Sequence, residues 1–147
     1  MIINFYVQTK VKLPFKHSIV KQIISRSVKV LKVRYNFEIT ILLVGTKKIT
    51  ALNKKFRNKN KITDVLSFSQ QEGKQFILPP QEKKYLGDLI ICYPQIKKQA
   101  KFFSTSIQTE FSLILIHGFL HLLGYNDETL KGEKEMQKLQ EKILTQL

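Results

Sequence analysis

The chain is short of cysteine, of acidic residues and of long apolar runs, and each shortage excludes something. One cysteine in 147 residues rules out an internal disulfide. Cys92 lies in a strand-like apolar run and reads as a buried, inert thiol. No uninterrupted apolar stretch approaches the roughly 20 residues that a membrane-spanning helix needs. The start, MIINFYVQTK, lacks the charged-then-apolar layout of a signal peptide, so the expected compartment is the cytoplasm. No internal repeat, low-complexity segment or linker is evident. What remains, 43% hydrophobic residues with 10 Phe, is enough to fold one compact domain over residues 1–147.

Acidic residues number 11 against 25 Lys and Arg, for a net charge of +14. The imbalance is uneven. Residues 1–101 hold 21 basic against 5 acidic side chains, and residues 102–147 hold 4 against 6. A surface this basic attracts polyanions, nucleic acid above all. The plain alternative is a solvated, lysine-rich surface of a protein whose genome favours lysine over arginine.

The order of elements is read from periodicity. INFYV makes a short strand, and residues 15–34 carry Ile19, Val20, Ile23, Ile24, Val28 and Leu31 at helical spacing. FEITILLV (37–44) is a β-branched central strand, and Thr46 is placed to cap the helix whose apolar face is Ile49, Leu52 and Phe56. RNKNKIT (57–63) is a basic loop and DVLSF (64–68) a short strand. The polar stretch 70–84 reads as a surface loop, LGDLIIC (86–92) as a strand, and Pro94 as the first turn of a short helix. A helix apolar nearly all round follows, with Thr105 and Gln108 as its capping box and Gly124 as its end. A last amphipathic helix from about residue 130 turns Met136, Leu139 and Ile143 inward. This order predicts an α+β fold, a small mixed β-sheet flanked by helices.

The buried helix carries the chemistry. Within HGFLHLLGYND, His117 and His121 stand four apart and face the same way, so both imidazoles can reach one metal ion. Gly124 allows a left-handed turn that brings Asp127 back from the far side. Three ligands with a position left for water is the pattern of a catalytic zinc, so one divalent cation, zinc, is the expected cofactor. The bland reading is two core histidines bonded to backbone. Zinc peptidases place Glu directly after the first His as general base, a position filled here by Gly118. Glu110, two turns before His117, is either a partner orienting an imidazole or an acid favoured at a helix start.

Four segments in order, LNKKFRNKN (52–60), TDVLSF (63–68), LGD (86–88) and HGFLHLLGYND (117–127), resemble the YbeY family of bacterial endoribonucleases, also called ribosomal RNA maturation factors. The resemblance spans nearly the whole chain. It implies a zincin-like fold with an HxxxH metal helix and a single-strand-specific endoribonuclease. It also implies a role in maturing the 3′ end of small-subunit (16S) rRNA and in ribosome quality control. Metal ligands fall on His117, His121 and Asp127, the last where the family carries His. A carboxylate is a harder donor than imidazole and favours a more oxygen-loving ion. Arg57 matches the family's functional Arg and is placed, with His117, in the catalytic set. Guanidinium can hold two phosphate oxygens at once, while Lys54, Lys55, Lys59 and Lys61 would serve as RNA-binding contacts. Expected partners are rRNA in the small ribosomal subunit, a small-subunit ribosomal protein and an assembly GTPase, with no membrane. Asp64 is expected to support local structure rather than pair with Arg57, and Gly87 and Asp88 to shape a strand edge. Tyr125 is expected to pack against the helix end and His17 to lie on the surface. Two rivals remain at this stage: a non-catalytic RNA-binding assembly factor with a structural metal, and a zincin-like metallopeptidase.

Overall fold

The computed structural model describes residues 1–8, 10–70 and 83–147. Among these, four strands and five helices follow one another as β1 (Ile2–Val7), α1 (Ser18–Leu31), β2 (Phe37–Val44), α2 (Thr46–Arg57), β3 (Val65–Ser69), β4 (Lys84–Cys92), α3 (Tyr93–Phe102), α4 (Ile107–Leu122) and α5 (Leu130–Leu144). The strands form one mixed sheet in the order β1-β2-β4-β3, as the α+β reading expects. β2 runs parallel to both β1 and β4, while β3 pairs antiparallel with β4 at the edge. Residues 71–82 of the expected surface loop lie outside the described residues. Its last residue, Lys84, opens β4.

The two faces of the sheet have separate partners because side chains alternate along a strand. Phe37, Ile39, Ile41 and Leu43 of β2 are all buried in the main core with α1, α4 and α5. Each such side chain stabilises the fold by about 1.5–3 kcal/mol relative to full exposure. α4 runs through this core, with Phe119 against Phe37 at 5.7 Å and Phe111 stacked on Phe15 at 4.7 Å between ring centroids. On the other face a smaller cluster of Val44, Leu66 and Cys92 is closed by Ile49 of α2. Cys92 is buried and free, as expected, and its desolvation raises the thiol pKa. Among the described residues no helix is long and apolar enough to cross a membrane.

Several boundaries differ from the sequence reading. α1 starts at Ser18, after a buried Phe15, and ends where Lys32 takes a left-handed conformation at φ 55°. Thr46 does not cap α2; Gly45 precedes it in extended backbone and Thr46 is the first helical residue. α4 is capped by Ser106 rather than Thr105, with the Ser106 hydroxyl accepting the Thr109 N–H at 3.0 Å. The reason is local. The Thr105 N–H donates to the Ala100 carbonyl at the end of α3, so it is not offered to Gln108 as the expected capping box requires.

Gly87 and Asp88 do not sit at a strand edge, since β4 lies inside the sheet between β2 and β3. Gly87 has φ +129° beside a register shift, and an added Cβ would strike the backbone carbonyl of Phe68. Only glycine fits such a conformation and approach. Gly87→Ala is expected to lower stability by about 3 kcal/mol, combining backbone strain with overpacking, as read by thermal unfolding. An unchanged midpoint would mean that the strands relax around the new methyl group.

Candidate metal centre and its groove

α4 presents His117 and His121 on one side of its apolar C-terminal half, and the chain beyond it is folded back by hydrogen bonds. The Tyr125 N–H donates to the Leu120 carbonyl at 3.1 Å and the Gly124 N–H to the His121 carbonyl at 3.0 Å. Gly124, at φ +95°, supplies the left-handed residue that this helix ending requires. The reversal brings the Tyr125 carbonyl to His121 and carries Asp127 under both rings. The Asp127 carboxylate lies 3.6 Å from His117 Nε2 and 3.7 Å from His121 Nε2.

The two outer nitrogens decide what the inner ones can do. His117 Nδ1 is 2.7 Å from the side-chain oxygen of Gln140, and His121 Nδ1 is 3.1 Å from the Tyr125 carbonyl oxygen. Both partners are acceptors, so each Nδ1 carries the proton and donates it. Each Nε2 is therefore left with a bare lone pair, and the two stand only 3.0 Å apart. Burial and the neighbouring His117 lower the pKa of His121, which keeps that ring neutral. Two lone pairs and a carboxylate aimed at one another repel unless a cation lies among them.

The spacing suits that cation. Ligands about 2.0–2.2 Å from a tetrahedral ion sit roughly 3.3–3.6 Å from each other. The two Nε2 atoms are 3.0 Å apart, and each has a different Asp127 oxygen within 3.7 Å. With one ligand atom from each residue, all three lie within 4.8 Å of one another, close enough to converge on one ion. The residues present fit one small divalent ion.

These ligands stand at the head of an open groove of about 810 Å³ between α4 and the β3 edge. Arg57, Lys59 and Lys61 line it; Lys54 and Lys55 do not. Instead Lys55 reaches over the Phe56 ring at 5.2 Å. Arg57 is the last residue of α2, and its Nη2 donates to the Ser67 carbonyl of β3 at 2.7 Å while the guanidinium lies 5.5 Å from the Phe68 ring centre. Asn58 then turns left-handed, and the Asn53 amide donates to the Lys61 carbonyl at 2.9 Å, which fixes the loop that bears the lysines. Asp64 accepts the Val65 N–H at 2.8 Å and the Gln99 amide at 3.1 Å, the structural role expected of it. Tyr125 packs partly against the main core, and His17 is exposed and outside the groove.

Two further placements separate the readings. A Cβ at Gly118 would lie 2.9 Å from Leu89 and 3.4 Å from the Ser67 hydroxyl, so this position faces the sheet and not the metal ligands. The space for a peptidase-type glutamate after His117 is filled by β3 and β4. Glu110 is buried in the first turn of α4, where desolvation and the charge of Asp64 raise its pKa. The imidazole partners are Gln140 and Tyr125, so Glu110 does not orient the rings.

Gln140 was missed by the sequence reading, though a signal was present. It falls four residues after Met136 and three before Ile143, on the stripe of α5 that turns inward. A polar side chain on a core stripe needs a buried partner, and His117 is that partner. Gln140→Leu is expected to weaken metal affinity by about 10–100-fold with the fold intact, measured by competition against a chromogenic chelator. Unaltered affinity would show that the Gln140 bond contributes nothing to ring orientation.

Comparison with known proteins gives the chain's family. The family model described as Endoribonuclease YbeY matches residues 2–147. A Bacillus cereus protein named Endoribonuclease YbeY is 33% identical over 98% of this chain and 94% of its own length. A Bacillus thuringiensis protein of the same name matches with the same identity and coverage. The solution structure of TM1509 from Thermotoga maritima, 24% identical, covers 97% of this chain and 87% of its own with a TM-score of 0.63, a likeness of fold. With a full-length family match and relatives at this identity, the chain belongs to the YbeY endoribonuclease family.

Proposed function

We propose that this chain, acting as one unit over residues 1–147, is a metal-dependent endoribonuclease that hydrolyses single-stranded RNA. The observation that carries the reading is the convergence of His117 Nε2 and His121 Nε2, 3.0 Å apart, with the Asp127 carboxylate at the head of a groove lined by Arg57, Lys59 and Lys61. Relatives named endoribonuclease at 33% identity support the RNA substrate. Maturation of the 3′ end of 16S rRNA, ribosome quality control, the ribosomal protein and GTPase partners and a cytoplasmic setting rest on the family resemblance.

His117, His121 and Asp127 would hold the ion, with zinc favoured by the two imidazoles and a harder ion by the carboxylate. When bound, a divalent cation supplies Lewis acidity and an activated water. The chain's own groups do the rest. Gln140 and the Tyr125 carbonyl hold both rings in one tautomer and orientation. Arg57 has five N–H donors, of which the Ser67 carbonyl takes one, leaving a fork for phosphate oxygens. Lys59 and Lys61 hold flanking phosphates without reading sequence, and Lys54 and Lys55 act as outer contacts beyond the groove.

The test is cleavage of a single-stranded RNA spanning the 3′ end of the small-subunit rRNA precursor. Activity should vanish with a chelator and return with added zinc, while duplex RNA and unstructured polypeptide stay intact. Salt-sensitive RNA binding without cleavage under any metal would instead make the protein an assembly factor. Cleavage of polypeptide alone would make it a peptidase.

A further inference from the structure

At the far end of α3 two aromatic rings stand in solvent. Phe102 is 81% and Phe103 60% exposed, with ring centroids 5.0 Å apart and planes at 89°. The inward stripe of α3 is Tyr93, Ile96 and Ala100. Phe103 continues that stripe but overhangs the core, because the chain turns away at the next residue. The turn is rigid: Ser104 is left-handed at φ 54°, the Thr105 N–H donates to the Ala100 carbonyl at 2.9 Å, and the Ser104 N–H donates to the Lys101 carbonyl at 3.3 Å. Both rings are thus carried on hydrogen-bonded backbone, not on a loose loop.

The exposed charges on α3 are all positive. Residues 89–109 contain Lys97, Lys98 and Lys101 and no acidic residue, and all three lysines are exposed. The helix that carries the rings borders the groove, although the rings themselves lie outside it. Gln99, one helical turn before Phe102 and Phe103, donates its amide to Asp64, which lines the groove. The Phe102 ring, 81% exposed and set edge-to-face against Phe103, offers an apolar face on a lysine-bearing helix, which suits a base stacked on a phosphate backbone.

We propose that Phe102 and Phe103 form a base-stacking subsite for the single RNA strand that leaves the groove, with Lys97, Lys98 and Lys101 on its phosphates. This rests on the reading of the groove as the RNA site and extends it beyond the metal centre.

The chain contains no Trp, so Phe102→Trp installs a single reporter. The probes are 2′-O-methyl oligoadenylates of about 5 and about 15 nucleotides, the shorter able to fill only one part of the surface. The longer probe should quench the Trp fluorescence, and Phe102→Ala should weaken its binding about tenfold while leaving the shorter probe's affinity unchanged. Thermal unfolding of these variants should match the parent, since the ring is exposed. Silence of the reporter while the longer probe binds in an Arg57-dependent manner would overturn the subsite and leave the groove reading standing. Failure of both probes to bind would overturn the two together. A reporter that answers to phosphatidylglycerol vesicles and not to RNA would assign the rings to a membrane surface and end the proposal.

Discussion

His117→Ala is expected to leave the protein folded and to abolish both tight metal binding and RNA cleavage. The loss should exceed the roughly 10–100-fold that removing an outer partner of a ligand produces, because a ligand itself is gone. His117 is the ring that connects most of the site: its Nε2 faces both His121 and Asp127, and its Nδ1 engages Gln140 on α5. Alanine at 117 leaves His121 and Asp127 without the third donor and frees Gln140 from its partner. The side chain is about a third exposed, so the cavity opens to water and the fold survives. Circular dichroism and thermal unfolding establish folding, elemental analysis counts the metal, and a single-stranded RNA substrate reads activity. Wild-type cleavage by the variant would mean that the observed nuclease is a contaminant or that the chemistry lies elsewhere.

Arg57→Ala should keep the metal and lose about 10²–10³-fold in kcat/KM, the usual loss when one donor to a developing charge is removed. The guanidinium is held at the β3 edge by the Ser67 carbonyl and the Phe68 ring, so it faces the groove in a fixed pose. Arg57→Lys should recover little, since an ammonium keeps the charge but loses the planar fork and the bond to Ser67 in its present geometry. Unequal effects on the two variants separate geometry from charge. If both cleave as the parent does, the phosphate is positioned by Lys59 and Lys61 instead.

Much of this site was legible before any coordinates because helical spacing is strict. His117, His121, Gly124 and Asp127 lie in eleven consecutive residues, and one helix with a glycine ending leaves little freedom in where they meet. Arg57 was legible only through the family resemblance; nothing in a basic loop distinguishes one cation from its neighbours. The structure makes that distinction through the β3 edge, which takes Arg57, Lys59 and Lys61 into the groove and leaves Lys54 and Lys55 outside. Gln140 escaped because its partner is 23 residues away and the packing of α5 on α4 is a tertiary fact. The α4 cap lies one residue later than expected for a local reason, at the turn between α3 and α4. Thr105 is a sound local candidate, but its N–H is spoken for by the preceding helix.

The account turns on two imidazoles that offer bare Nε2 atoms to a shared divalent ion, and side-chain proton–nitrogen correlation spectra read this directly. Before metal, His117 and His121 should both appear as the Nδ1–H tautomer, and exposed His17 serves as an internal control. On titration with zinc, the Nε2 resonances of both rings should move together and stop at one ion per chain, while His17 stays put. Nε2 resonances that stay fixed through an excess of zinc would contradict it.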